Sequence, residues 1–234
     1  MESIDPRKLL IKITSALDEL KIDYFITGGM AVAVWGRPRS TADIDAVIKI
    51  VEPKITALVR SLRKISKSGY IDEETAKKAV RNGEEFNFID PETGMKVDFW
   101  PMKGGENRGE FERRVPQKIL GRKVFFISPE DLILSKLVWY QKSGSERHLE
   151  DAESVLKVQK NLDLKYLKRI ASAQGALEPL AHLLKKKSNN KSKRFTAIIL
   201  LIVLVALLAK VVCLAFFRKQ GEVTVLPRQL KLRY

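Results

Sequence analysis

The chain has 234 residues, room for one large domain or one domain with an appendage, and its apolar share of 45% supports a packed core. Its net charge of +15 is uneven: Lys185 to Tyr234 holds twelve Lys or Arg and one acid, Glu222, so the first 184 residues carry only +4 and the nucleic-acid-like basicity belongs to the tail. Cys213 is the only cysteine, which excludes an intrachain disulfide, and His148 and His182 are the only histidines, which argues against a His-based zinc or iron site.

The N-terminal MESIDPRKLLIKI is charged and interrupted by proline, unlike a signal peptide. Asp5-Pro6 reads as an N-cap with proline in the first turn, and Leu9, Leu10, Ile13, Ala16, Leu17 and Leu20 recur at helical spacing, which predicts an amphipathic helix over 6–21. Asp23 to Thr27 is a short strand broken by Gly28-Gly29, and Met30 to Trp35 gives a helical turn or two, ended by Gly36 and Pro38. The β-branched run DIDAVIKI, 43–50, is a second strand. Pro53 opens another helix with Ile55, Leu58, Val59, Leu62 and Ile65 on one face, and Glu73 to Arg81 is a short polar helix. Phe86 to Ile89 and Met95 to Trp100 flank a Pro-Glu-Thr-Gly turn and form an antiparallel hairpin.

A further strand, Lys123 to Ile127, leads into Ser128-Pro129, a capped helix start. Beyond it the pattern is helical over 129–142, 146–160, 163–173 and 177–187. The organisation is therefore α+β: an α/β core over 1–127, a helical subdomain over 128–187, a basic linker over 188–195, an apolar stretch over 196–217 and a short basic tail over 218–234. The stretch 196–217 has 22 residues and a single charge, Lys210, enough to span a bilayer core. It is read as one C-terminal transmembrane helix rather than a buried or partner-binding one. Six basic residues lie just before it and four just after, a bias that keeps the N-terminal domain cytoplasmic and membrane-anchored.

Asp43 and Asp45 lie two apart on a strand and so project from one face, while Ile44 points into the core. Two such carboxylates repel each other unless a divalent cation sits between them, and Mg²⁺ or Mn²⁺ suits oxygen ligands that leave room for phosphate oxygens. Asp98, between Val97 and Phe99, is an acid on an otherwise apolar strand and is expected to face the same cleft. Three carboxylates can hold two metals. Gly28-Gly29 lets the backbone approach phosphates, the following helix offers free N–H groups, and Arg37 or Arg39 on the intervening loop can clamp a triphosphate. By pattern alone Lys136 is a solvated lysine on an amphipathic helix; Arg147, Glu150 and Asp151 either act or, for Arg147 and Asp151, form an i,i+4 pair; Trp35, Trp100 and Trp139 can stack on a base but are expected in the core.

Thr27-Gly28-Gly29, a gap from Met30 to Ala42, and Asp43-Ile44-Asp45-Ala46 resemble the signature of the DNA polymerase beta-like nucleotidyltransferase superfamily. The form GGMAVAVWG…RSTADID, with SPEDLILSK and RHLED later, is most similar to small prokaryotic nucleotidyltransferases of toxin–antitoxin and abortive-infection systems. The likeness covers about residues 8–175 and departs at Gly29, where many members have Ser. It implies a polymerase-beta-like fold, a mixed sheet with flanking helices. It also implies Asp43, Asp45 and Asp98 as metal ligands, Asp98 as activator of the acceptor hydroxyl, and Gly28 and Gly29 as the phosphate cradle, with Arg39 and Lys136 as further nucleotide contacts. The function implied is transfer of a nucleoside monophosphate from an NTP to an RNA (tRNA-like) or protein hydroxyl, releasing pyrophosphate, with a cognate toxin or antitoxin as partner. The alternative from another class is a catalytically weak nucleotide-binding, membrane-tethered regulatory or antitoxin module.

Overall fold

A computed structural model describes residues 5–104, 108–189, 199–202 and 204–205. The chain divides into two units, Met1–Leu184 and Lys185–Tyr234. In the first, α1 (Pro6–Glu19) begins where the Asp5 carboxylate accepts from the Arg7 N–H at 3.0 Å. It buries Leu9, Leu10, Ile13 and Leu17, the face that the periodicity predicts.

β1 (Asp23–Thr27) runs without a loop into α2 (Gly28–Trp35), and β2 (Asp43–Lys49) returns antiparallel to β1. Two helices follow, α3 (Ile55–Ile65) and α4 (Glu73–Asn82), the latter capped by Asp72 and closed by Gly83 at φ +69°. β3 (Phe86–Asp90) and β4 (Met95–Pro101) form the expected hairpin, and β4 lies parallel to β2. A six-residue α5 (Arg108–Arg113) and β5 (Val115–Ile119) precede β6 (Arg122–Phe126). Three helices complete the core of the unit: α6 (Pro129–Ser143), α7 (Glu146–Val158) and α8 (Leu164–Ala173), with 177–184 also helical.

The sheet order is β3-β4-β2-β1-β6-β5, a mixed sheet, with β1 and β6 parallel and β5 antiparallel to β6. Its central strands β2, β1 and β4 contribute fully buried Ile26, Ile44, Val97 and Phe99 to the core. α5 and β5 are additions to the sequence-predicted elements: α5 is too short to show a helical period, and β5 holds Pro116, tolerated because β5 is an edge strand.

The expected membrane-spanning segment 196–217 lies mostly outside the described residues. Within it, 199–202 and 204–205 are helical, and Ile199, Leu200, Leu201, Ile202, Leu204 and Val205 are exposed. Among the described residues no helix is long and apolar enough to cross a membrane.

Phe99 is fully buried and stacks on Phe86 at 5.1 Å between ring centroids. Phe99→Ala removes that volume from the sheet's centre and is expected to lower unfolding free energy by about 3–5 kcal/mol. Urea denaturation checks it: the midpoint falls while the slope stays unchanged.

Candidate active site

Strand register builds the site. Asp45 stands opposite Thr27 on β1 and opposite Asp98 on β4, while Asp43 stands opposite Lys96. Side chains alternate along a strand, so Asp43, Asp45, Lys96 and Asp98 share one face of the sheet. The carboxylate predicted from an isolated strand acid, Asp98, does join Asp43 and Asp45. It is 6% exposed; Oδ2 accepts from Lys96 Nζ at 2.8 Å, while Oδ1 is buried with no hydrogen-bond partner.

The glycine turn is bound into the same arrangement. Gly28 has φ +60°, and a Cβ there would fall on Asp45 Oδ2. At Gly29 a Cβ would lie 2.8 Å from Thr41 Cβ, and Thr41 Oγ1 donates to the Asp43 carbonyl at 3.3 Å. The two glycines therefore admit the aspartate strand and its lead-in loop, as well as leaving backbone exposed at the start of α2.

Burial, and then the nearby charge of Asp98, push the Asp45 carboxyl above its ordinary value. Glu85 is raised too, first by burial and then by Asp98. Asp43 and Asp45, with the orphan oxygen of Asp98, are hard donors of the type a divalent ion takes. Among the described residues no three acidic, His or Cys side chains are already gathered around one point, and Lys96 occupies the other oxygen of Asp98.

Opposite the sheet, Asp151 of α7 is 3% exposed and binds two cations. Arg39 grips it through Nε at 2.7 Å and Nη2 at 2.8 Å, and Lys136 of α6 reaches it at 3.1 Å. Burial pushes the Asp151 carboxyl up, but the hydrogen bond from Arg39 and the charge of Lys136 outweigh it and hold the group below its usual range. Arg147 is not its partner: the Arg147 guanidinium instead reaches the Ser40 carbonyl at 3.5 Å, so the helical i,i+4 pair does not form. Lys136 is only 7% exposed, so it is no solvated helix lysine.

Between the two walls is a cleft of about 580 Å³ whose lining includes Gly28, Gly29, Arg39, Asp43, Asp45 and Lys136. Arg37 is exposed and donates its N–H to Ser154 Oγ, so of the two loop arginines Arg39 faces the cleft. Of the tryptophans, Trp35 is in the core and donates to the Ile127 carbonyl at 2.8 Å. Trp100 packs against the core, as expected, and also lines the cleft, whereas Trp139 lines the cleft and is 45% exposed, contrary to the core placement expected for it. His148, 6.2 Å from Trp139 between ring centroids, also lines it and is held below its ordinary pKa by burial and then by Lys136. Thr41, Lys96, Glu110 and His148 were not singled out from sequence. Only Lys96 had a local signal, its i,i+2 spacing from Asp98 on a strand.

The fold is that of a nucleotidyltransferase. Residues 8–195 match the model of the family "Nucleotidyltransferase of unknown function (DUF6036)", and the chain belongs to that family. Among solved structures it is similar to an antigenic nucleotidyltransferase-like protein from Paracoccidioides brasiliensis, with 23% identity and a TM-score of 0.54 over 81% of this chain and 92% of that one. It is also similar to ANT(2'')-Ia in complex with adenylyl-2''-tobramycin (16%, TM-score 0.46, 77% and 98%). A third is the lincosamide antibiotic adenylyltransferase LnuA, lincomycin-bound (15%, TM-score 0.46, 65% and 97%). At 23% identity the first of these likenesses is one of fold. A search of curated proteins finds no match.

Two expected outcomes follow from the charges. Asp151→Ala leaves Lys136 and Arg39 without their buried counter-charge, and a thermal or urea melt is expected to show a loss of about 3–5 kcal/mol. Asp45 has a raised folded-state pKa, so its ionised form opposes folding once the pH rises above the ordinary carboxylate value of 3.8. Asp45→Asn is therefore expected to stabilise the chain at pH 7, the gain fading as pH falls toward and below that value; melts at stepped pH read it directly.

Proposed function

We propose that this chain transfers a nucleoside monophosphate from an NTP to an acceptor hydroxyl and releases pyrophosphate. The observation that carries the reading is the convergence of Asp43, Asp45 and Asp98 on one sheet face beside the glycine turn, with a buried Asp98 oxygen that has no protein partner. Asp43, Asp45 and Asp98 would hold a divalent ion, Mg²⁺ or Mn²⁺, whose charge would offset that of the triphosphate. The backbone at Gly28 and Gly29 receives the β- and γ-phosphates. Arg39 and Lys136 together carry one positive charge beyond what Asp151 neutralises, and they attract the triphosphate's anionic oxygens.

Asp98 draws the acceptor hydroxyl's proton as its oxygen attacks the α-phosphorus. A new O–P bond forms, the bond from the α-phosphorus to the bridging oxygen breaks, and pyrophosphate leaves with that oxygen. Membrane attachment through 196–217 and a role beside a cognate toxin or antitoxin belong to the same proposal, on the strength of the sequence.

The acceptor is an RNA or protein hydroxyl in the reading drawn from sequence. One observation favours a second reading, a small hydroxyl compound. A cavity of about 310 Å³ adjoins the cleft and shares Glu110, Ser135 and Trp139 with it, a size suited to a small molecule. The +4 charge of residues 1–184 gives little basic surface for a long RNA.

The full chain is to be incubated with each α-labelled NTP, Mg²⁺ or Mn²⁺, and separate RNA, protein and small-molecule fractions of a cell extract. Label is expected in one fraction with wild type, and at least 100-fold less with Asp43→Ala/Asp45→Ala. Equal labelling by the double variant, or none by wild type, removes the enzymatic reading and leaves a nucleotide-binding module, which equilibrium binding of the NTP then tests.

A further inference from the structure

The cleft-side face of the central strands carries three carboxylates and one ammonium. On β4, Val97 and Phe99 point into the core and are fully buried, so Lys96, Asp98 and Trp100 share the opposite face. The parallel pairing with β2 sets Lys96 beside Asp43 and Asp98 beside Asp45. Lys96 Nζ then closes on Asp98 Oδ2 at 2.8 Å.

The two oxygens of Asp98 are unequal. One is bound to Lys96, and the other, on a residue 6% exposed, has no partner. A buried carboxylate oxygen without a donor or cation is costly, so its surroundings are built to receive one. Charge adds a constraint. The three cluster carboxylates are balanced by one divalent ion and one ammonium; two divalent ions with the ammonium exceed their charge by two, and still by one when Glu85 beside Asp98 is counted.

We propose that Lys96 is the resident second cation of this carboxylate cluster: it holds Asp98 by Oδ2, leaves Oδ1 free, and limits the nucleotide-free protein to a single divalent ion. Lys96 is a positioning residue, acting through Asp98 and through its charge beside Asp43. The inference rests on the metal-dependent reading of the cluster given above, and it concerns ion number and affinity instead of turnover. A tethered ammonium is always present, while a second free ion has to be recruited from solution. Lysine also suits the task better than a larger cation, because its compact charge reaches one oxygen without covering the other.

The test is a Mn²⁺ titration of the full-length, nucleotide-free chain, read by calorimetry and by electron paramagnetic resonance of bound Mn²⁺. Wild type is expected to bind one ion per chain. Lys96→Met is expected to bind a second ion, or to bind the first about ten-fold more tightly, because a unit positive charge a few ångströms away no longer opposes it. Lys96→Arg, which keeps the charge, is expected to gain no second ion and to bind the first no more tightly than wild type. Asp98→Asn, which removes the charge that Lys96 serves, is expected to weaken binding. A melt of each variant confirms that it is folded, and Lys96→Gln replaces Lys96→Met if the latter is not.

Two ions on wild type, no ion on wild type, or Lys96→Met and Lys96→Gln titrating as wild type overturns the assignment. The outcome separates from that of the transfer assay. A chain that labels no acceptor yet gains an ion on losing Lys96 retains this assignment and loses the enzymatic one. A chain that labels an acceptor with ion binding indifferent to Lys96 does the reverse.

Discussion

Like charges on neighbouring strands repel, and the centre of this sheet sets three of them together. The register between β2 and β4 places Asp45 against Asp98 and Asp43 against Lys96, so the repulsion is built in wherever those strands pair. The register is specified from the opposite face, where Ile44, Val97 and Phe99 are fully buried; a one-residue slip would turn those three outward and the acids inward. The hydrophobic core thus holds in place an arrangement that the carboxylates alone would oppose. The Asp45 carboxyl is raised first by burial and then by the charge of Asp98, and perturbed groups of this kind cluster at functional sites.

A second buried charge stabilises the other wall. Asp151 takes Arg39 from the loop before β2 and Lys136 from α6. Each cation alone is flexible and strongly hydrated. Bound to one buried carboxylate they become fixed donors with residual positive charge, facing the aspartates across the cleft. Opposed charge of this kind recruits an anion carrying its own cation, which describes a metal-bound triphosphate.

The parts of the site that follow strand logic were legible in the sequence. Asp43 and Asp45 two apart, and Asp98 as a lone acid on an apolar strand, needed only the alternation of side chains. Capping and turn chemistry likewise placed α1, the β3–β4 hairpin and the start of α6. What escaped depends on contacts between distant segments. Asp151 has a sequence neighbour, Arg147, at helical spacing, and local rules pair those two; the fold brings Arg39 from 112 residues away, and its bidentate grip wins. Trp139 read as a core residue because aromatic rings usually are, but it is 45% exposed on the cleft wall, while Trp100 both packs against the core and lines the cleft. α5 and β5 were missed because six residues do not show a helical period and Pro116 obscures an edge strand.

The tie between Arg39 and Asp151 also orders the site in time. The two residues are separated by 112 positions, so a growing chain exposes the glycine turn and the aspartates well before the carboxylate that braces the opposite wall. At about 5–20 residues per second, that interval lasts roughly 6–22 s. Asp98 follows Arg39 by 59 residues and Lys136 follows it by 97, so both cations are made before the carboxylate that anchors them. The cleft therefore remains without its second charged wall until α7 has been made. Ribosomal truncation anywhere before residue 151 yields a fragment that lacks the anchor of Arg39 and Lys136.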